Sequence, residues 1–153
     1  MAKFFFEMDM TFRRLTGLMG STNPKPQNMK SYDVNRFNQD MRSRTRKFAV
    51  NTYGILTRIR LNELSRVPVK QLVRCATSVA ANYSSATRGR SEAEFYSKIC
   101  IVTEECDECL FWIDFLADVK ILSISELSVI KNETEELLRI FASIKKKLKS
   151  KRQ

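Results

Sequence analysis

The residues of this sequence whose types and spacing could support chemistry are first of all four cysteines. Cys106 and Cys109 form a C-x-x-C pair, and Cys75 and Cys100 could complete a zinc site. Structural zinc pairs usually lie on turns, whereas this pair falls on the predicted core side of a helix. A free cysteine there behaves as a small hydrophobic residue. We therefore expect no bound metal.

A run of carboxylates could also suggest a metal or acid–base site. It consists of Glu104, Glu105, Asp107 and Glu108. A di-metal site in a helical bundle uses inward Glu-x-x-His motifs, and the sequence contains no histidine. Helical spacing spreads these acids around the helix, so salt bridges to the first and second helices are expected. With no glycine-rich phosphate loop and no activated nucleophile, we expect neither an enzyme nor a cofactor.

Basic side chains are the third group with functional potential. The formal net charge of +10 suggests an anionic partner. Arg88 and Arg90 flank Gly89 at a predicted helix junction, beside a helix N-terminus whose N–H groups attract anions. Two alternatives stay open: a phosphate-binding surface, and basic helix faces that pair with acidic ones inside the fold. The candidate nucleic-acid-binding residues are Arg42, Arg46, Lys47, Arg58, Arg60, Arg74, Arg88 and Arg90.

Four helices are predicted to carry these groups, because apolar residues recur with the helical period and turn residues are scarce. Capping boxes of the form S-x-x-E are expected at Ser91 and Ser123. Glu63–Val67 is predicted to be a connection, with Pro68 in the first turn of the next helix. The predicted helices run from Val34 to Asn62, from about Pro68 to Ala86, from Glu92 to about Leu122, and from Ser123 towards the C-terminus.

Each helix carries a stripe of predicted core residues. In the first helix Arg44 projects close to this stripe, so we expect a carboxylate partner from the acidic third helix. The alternative is that its stem lies along the seam with the charged head in water. The stripes are Phe37, Met41, Phe48, Thr52, Ile55 and Ile59; then Leu72, Ala76, Val79, Tyr83 and Ala86; then Phe95, Ile99, Val102, Cys106, Cys109, Ile113 and Leu116; and finally Leu127, Ile130, Thr134, Leu137, Phe141, Ile144 and Leu148.

The third helix is apolar on a second face, formed by Ile101, Phe111, Trp112 and Phe115. A helix that is apolar on two faces is buried on two faces. Inside a four-helix bundle, the second face needs a partner outside the bundle. These four residues are therefore the predicted oligomer interface.

The two ends of the chain differ from its centre. Residues 1–30 are predicted to be an N-terminal extension and linker that needs no fixed structure, with Met29 as an alternative start. The bundle is expected to occupy residues 31–150. The lysines that end the fourth helix, together with the basic tail 151–153, are interpreted as a solvated helix end. No apolar stretch is long enough to span a membrane, so a cytoplasmic protein without membrane association is expected.

The stretch from Gln71 to Leu116 contains a recognisable pattern of residues. It is carried by Gln71, Leu72, Arg74, Ser78, Val79, Ala81, Asn82, Tyr83, Arg90, Ser91, Glu94, Phe95, Glu104, Glu105, Glu108, Phe111 and Trp112. With this pattern the stretch resembles the bacterial four-helix-bundle proteins encoded in intervening sequences of 23S rRNA genes. One departure is Ser84-Ser85, where an acidic residue is common in that family.

The resemblance implies an up-down-up-down bundle that assembles as a homopentameric barrel. Relatives include the accessory variability determinant of diversity-generating retroelements, which binds nucleic acid and associates with a reverse transcriptase. We therefore expect an all-α, oligomeric, non-enzymatic protein that binds RNA or DNA mainly through phosphates, with little sequence preference. A protein-interaction scaffold is the alternative, and an accessory subunit of a reverse transcriptase would combine both roles.

Overall fold

A computed structural model describes residues 29–151, with side chains from residue 34, and every regular element in that range is an α-helix. The four helices form a packed bundle, which confirms the predicted all-α class. The predicted N-terminal extension lies outside the described residues up to residue 28, as do residues 152–153. The helices are α1 (Met29–Leu56), α2 (Glu63–Ala86), α3 (Glu92–Asp118) and α4 (Ile124–Ser150).

The chain divides into two compact units, Met1–Ser43 and Arg44–Gln153. In the first unit, Phe37 and Met41 of α1 are buried. The second unit contains the rest of α1 with α2, α3 and α4, and there α3 packs against both α2 and α4. None of the helices within residues 29–151 is long and apolar enough to cross a membrane.

The connection between α1 and α2 lies earlier than predicted. Asn62 caps α2: its Oδ1 accepts a hydrogen bond from the Ser65 N–H at 2.8 Å, and Ser65 Oγ accepts one from the Asn62 N–H at 2.9 Å. This reciprocal cap satisfies two N–H groups that the helix start would otherwise leave unpaired. The predicted connection Glu63–Val67 is therefore wrong, and Pro68 lies in the second turn, where it leaves one helical hydrogen bond unmade.

Helix α3 also ends earlier than the predicted Leu122. The Ile121 N–H donates to the Leu116 carbonyl, and the Lys120 N–H donates to the Ala117 carbonyl, both at 3.0 Å. Lys120 has a φ of 56°, the left-handed conformation that closes a Schellman motif. Glycine usually takes this position, so a lysine there gave no recognisable stop signal.

The core of the second unit follows the predicted stripes closely. All the predicted core positions of α2 and α4 are buried, and in α3 only Phe95 is half-exposed. The Tyr83 and Phe141 rings lie 5.2 Å apart at 46°. In α1 the buried positions differ from the predicted stripe, because Thr45, Ala49 and Leu56 are buried while Ile55 is only half-buried. Ile59, also predicted in the stripe, is half-buried and lies beyond the end of α1. Among the described residues, the buried polar side chains are those of Thr45, Thr52, Ser65 and Thr134.

These buried polar groups do not weaken the core. Thr52 Oγ1 donates to the Phe48 carbonyl at 2.9 Å, and Thr134 Oγ1 donates to the Ile130 carbonyl at 2.6 Å. No buried side-chain nitrogen or oxygen lacks a hydrogen-bond partner in the part of the chain that the structure describes. Each buried hydroxyl therefore avoids the cost of an unsatisfied polar group.

Two glycines give a matched pair of predictions. A Cβ added at Gly54 in α1 would meet no atom within 4 Å, whereas one at Gly89 would lie 3.1 Å from the Ala86 carbonyl oxygen. Because alanine favours a helix over glycine, Gly54→Ala should raise the free energy of unfolding by about 0.5 kcal/mol. Gly89→Ala should lower it, because the close carbonyl must shift. Urea denaturation of both variants checks this, and shifts in the same direction would contradict it.

Candidate nucleic-acid and subunit interfaces

Arg44 of α1 is held by two carboxylates of α4. Its Nε lies 2.6 Å from Glu133 Oε1, and its Nη2 lies 2.9 Å from Glu133 Oε2 and 2.5 Å from Glu136 Oε2. The hydrogen bond with Glu133 is the main cause of the raised pKa of Arg44. The expected partner from the third helix is therefore wrong, because the side of α1 that carries Arg44 faces α4.

The Arg44 contacts lie in a groove between α1 and α4. Its volume is about 490 Å³, and both charged and apolar side chains line it. Lys47, a predicted nucleic-acid-binding residue, lies here beside the two carboxylates that hold Arg44. The remaining lining residues are Phe48, Asn51, Val129 and Asn132.

Arg74 of α2 is bound by the acidic face of α3. Its Nη1 lies 3.2 Å from Glu105 Oε1, and its Nη2 contacts Glu108 Oε1. Glu108 also accepts a hydrogen bond from Trp112 Nε1 at 3.0 Å, and the bonds from Arg74 and then Trp112 hold the pKa of Glu108 below its usual range. This confirms the expected salt bridge between α3 and a basic helix. Arg74, which was predicted to bind nucleic acid, is therefore paired with carboxylates inside the fold.

Arg88 and Arg90, at the corner between α2 and α3, are arranged differently. Both side chains are exposed, and neither guanidinium pairs with a carboxylate within residues 34–151. The space beside Gly89 is taken up by the Ala86 carbonyl and the first turn of α3. The glycine therefore lets the chain pack closely on itself rather than admitting a ligand.

The start of α3 is occupied by its own side chains. Ser91 Oγ accepts a hydrogen bond from the Glu94 N–H at 3.1 Å, as the predicted cap requires. Glu94 Oε2 accepts from the Arg90 N–H at 2.9 Å rather than from Ser91, so the box closes one residue early. With Glu92 also in the first turn, the positive end of the helix dipole is balanced by carboxylates. Of the groups that were predicted to attract an anion at this corner, the two guanidinium groups are therefore the ones that stay exposed.

The other predicted cations lie on α1 and on the connection between α1 and α2. Arg46 and Lys47 are exposed on α1, and Arg58 and Arg60 are exposed between α1 and α2. Arg42 is half-buried in the first unit. Helix α2 separates Arg58 and Arg60 from the Arg88–Arg90 corner by about 36 Å, at 1.5 Å per residue. Arg58 and Arg60 therefore do not form one patch with that corner.

The predicted oligomer interface is an aromatic cluster on the surface of α3, formed by Phe111, Trp112 and Phe115. The Phe111 and Trp112 rings lie 4.9 Å apart edge to face, and the Trp112 and Phe115 rings lie 5.7 Å apart. Phe111 is 58% exposed and Phe115 37% exposed, while Trp112 and Ile101 are half-buried. Three adjacent rings on one surface are typical of a contact with another protein.

Further exposed apolar side chains were not recognised in the sequence. They were missed because they lie outside the predicted stripes. They are Val50, Tyr53, Leu64, Val67, Val119, Ile124 and Val129.

The cysteines form a buried contact across two helices. Cys75 Sγ of α2 and Cys109 Sγ of α3 lie 2.9 Å apart, and Cys106 is buried as well. Burial raises the pKa of Cys106, and the contact with Cys75 raises that of Cys109. Among the described residues, no group of three or more cysteine, histidine or acidic side chains could hold a metal. Cys75, Cys106 and Cys109 are therefore part of the packed core.

Comparisons with known proteins agree with this architecture. A family model described as 23S rRNA-intervening sequence protein matches residues 38–143. A solved structure of a protein of unknown function from the S23 ribosomal protein family of Bacteroides thetaiotaomicron VPI-5482 is 25% identical, with a TM-score of 0.66. That match covers 71% of this chain and 97% of the other. No curated protein matches the chain.

The buried thiols lead to a prediction about packing and metal. Replacing both Cys106 and Cys109 with alanine removes two sulfur atoms from a filled core, and should lower the free energy of unfolding by about 1 kcal/mol per site. Cys100→Ala is the control and should cost less, because Cys100 is only half-buried. Urea denaturation measures stability, and elemental analysis should find no stoichiometric zinc in the wild type. Bound zinc that the double variant loses would contradict the packing role.

Proposed function

The chain belongs to the 23S rRNA-intervening sequence protein family, and we propose that it is a non-enzymatic, homo-oligomeric bundle that binds RNA or DNA through phosphates. The observation that carries the proposal is the contrast among its arginines. Arg44 and Arg74 are bound by carboxylates, whereas Arg88 and Arg90 are exposed without a carboxylate partner in the described chain. The net charge of +10 adds a general attraction for a polyanion.

The proposed topology is an antiparallel up-down-up-down bundle. Arg74 and Asn82 of α2 contact Glu105 and Lys98 of α3, so a later residue of one helix meets an earlier residue of the next. Residues 119–123 join α3 to α4, and such a short connection between packed helices favours a hairpin. In this arrangement the α2–α3 corner and the α3–α4 connection lie at opposite ends of the bundle.

Homo-oligomerisation is supported by the aromatic cluster on α3. Burying Phe111 and Phe115 against another copy would remove large apolar surface from water, at about 25 cal/mol per Å². The resemblance to pentameric relatives sets the proposed number of subunits at five. In such a ring the Arg88–Arg90 corner repeats once per subunit, so weak binding at one corner is strengthened by multivalency.

The proposed binding mode is electrostatic and tolerant of sequence. The exposed guanidinium groups of Arg88 and Arg90 can contact phosphate oxygens, and no base-reading motif accompanies them. RNA and DNA are therefore both proposed ligands. A protein with these properties could serve as the accessory subunit of a reverse transcriptase in a diversity-generating retroelement.

A protein-interaction scaffold is the second candidate, and the exposed apolar side chains favour it. Leu64 is 86% exposed and Ile124 76% exposed, in addition to the aromatic cluster on α3. A scaffold would use these groups to bind other proteins, and its basic charge would be incidental. Nucleic-acid binding measured across salt concentrations separates the two functions.

The proposed assembly can be tested by substitutions in the aromatic cluster of α3. Phe111→Asp or Trp112→Asp should convert the oligomer to monomer or unfolded chain, because a carboxylate would be buried between subunits. Leu64→Asp is the control, since Leu64 lies outside the aromatic cluster and an acid in the first turn of α2 is favourable. Light scattering at micromolar concentration measures the mass, and circular dichroism checks folding. A monomeric wild type would contradict the proposed assembly.

Nucleic-acid binding leads to a second prediction. Arg88→Glu with Arg90→Glu should weaken RNA or DNA binding at least tenfold, because each reversal replaces a phosphate contact with repulsion. Lys70→Glu with Arg139→Glu is the matched control, since it changes the net charge equally at exposed positions on α2 and α4. Filter binding across salt measures affinity, and light scattering should show an unchanged oligomer. Equal effects of the two pairs would show that binding depends on net charge alone and would contradict a site at Arg88 and Arg90.

A further inference from the structure

We propose that the lysines near the end of α4 belong to the same phosphate-binding site as Arg88 and Arg90, so that a nucleic-acid backbone binds across one end of the bundle. This inference rests on the proposed function, and it names the residues that complete the site. The lysines concerned are Lys145, Lys146 and Lys149. In the sequence they lie far from the α2–α3 corner, and by themselves they indicate only a solvated helix end.

The packing of α3 against α4 places these lysines near the corner. Lys131 Nζ of α4 lies 2.7 Å from Asp114 Oδ1 of α3, which shows the register of the two helices. From that ion pair, α3 extends back about 34 Å to its cap at Ser91, at 1.5 Å per residue. Helix α4 extends forward about 27 Å to Lys149 in the antiparallel direction. Lys149 therefore lies within roughly 8 Å of the level of Ser91, along the helix axis.

The distance across the bundle is also short. Packed helices lie about 8–10 Å apart, and α4 is a direct neighbour of α3. Arg88 and Arg90 immediately precede the cap of α3, so they share its end of the bundle. Lysine and arginine side chains reach several ångströms beyond the backbone, so the two groups can contact neighbouring phosphates of one strand.

The charge at this end is strongly positive. Lys146 and Lys149 are exposed and Lys145 is half-exposed, and none of them pairs with a carboxylate within residues 34–151. The nearby acids of α3 are Glu92 and Glu94, and Glu94 already accepts a hydrogen bond from the Arg90 N–H. The named cations thus outnumber the acids that could neutralise them.

The helix dipole does not account for all of this charge. Cations stabilise a helix C-terminus, but the effect falls off within the last turn. Lys149 lies in that turn of α4, which ends at Ser150, whereas Lys145 and Lys146 precede it. The positive charges of Lys145 and Lys146 therefore lie outside the range of favourable interaction with the helix dipole. They are available to an anionic ligand.

The exposed apolar side chains are concentrated in one half of the bundle, and the proposed site lies in the other. In α2, α3 and α4 the large ones lie near Leu64 and Val67, from Phe111 to Val119, and at Ile124 and Val129. All of these positions lie in the half of the bundle away from the Arg88–Arg90 corner, in the proposed topology. Among the described residues, the lysine end thus presents charge without an exposed apolar patch, which suits a phosphate backbone better than a protein surface.

The test uses the full chain and a fluorescent, mixed-sequence single strand, prepared as RNA and as DNA. Lys146→Gln with Lys149→Gln should reduce the slope of log affinity against log salt by at least about 1.4, from about 0.7 per lost phosphate contact. At about 0.1 M salt this corresponds to roughly 25-fold weaker binding, if the two lines meet near 1 M. Glutamine keeps good helix propensity, and circular dichroism should confirm an unchanged fold.

Lys70→Gln with Arg139→Gln is the matched control, since it removes two exposed charges from the middle parts of α2 and α4. The inference predicts that this pair changes the salt slope much less than the lysine pair. Equal effects of the two pairs, or a lysine pair that binds as the wild type does, would overturn it. If the lysine pair binds as the wild type does but Arg88→Glu with Arg90→Glu still weakens binding at least tenfold, the proposed function stands without the lysines. A wild type without salt-dependent binding would overturn both.

Discussion

The burial of one face of α3 between α2 and α4 is the constraint on which the rest of this structure depends. Ile99, Val102, Ile113 and Leu116 are almost completely buried there, and fully burying such a side chain contributes about 1.5–3 kcal/mol. The cysteines on the same face take part as small apolar groups. Because α3 is held on this face, its carboxylates and aromatic rings must lie at its edges or in water. Both proposed surfaces follow from that division.

The edges of α3 determine which cations remain available. Glu105 and Glu108 bind Arg74 along one edge, and Asp114 binds Lys131 of α4 along another. These pairs are partly exposed, so each contributes little to stability, but they show the register in which the buried faces hold neighbouring helices. In the proposed antiparallel topology, that register places the end of α4 near the α2–α3 corner. Arg74 and Lys131 are thus paired with carboxylates of α3, whereas the cations of the proposed site are exposed or half-exposed.

Much of the fold could be predicted because its signals are local. The buried stripes of α2 and α4 follow the helical period, and Ser123 forms the predicted capping box with Glu126. The wrongly predicted boundaries are those whose capping residues follow neither the S-x-x-E pattern nor the usual glycine at a helix end. Asn62 and Ser65 cap α2 without the expected S-x-x-E pattern, and Lys120 ends α3 in a conformation that usually belongs to glycine. Side-chain hydrogen bonds at Asn62 and backbone hydrogen bonds at Lys120 decided these boundaries more strongly than Pro68 or the apolar pattern.

The sequence by itself determined the helical class, the buried stripes, the family resemblance and the aromatic face of α3, because each depends on residue type and spacing along one segment. It also contained every cation considered for binding. Only the tertiary structure decided that Arg44 meets Glu133 of α4, that Arg74 is bound by α3, and that Cys109 contacts Cys75 rather than its C-x-x-C partner. Partners across helices depend on packing register and rotation, which are set by many contacts distant in sequence and by no single motif.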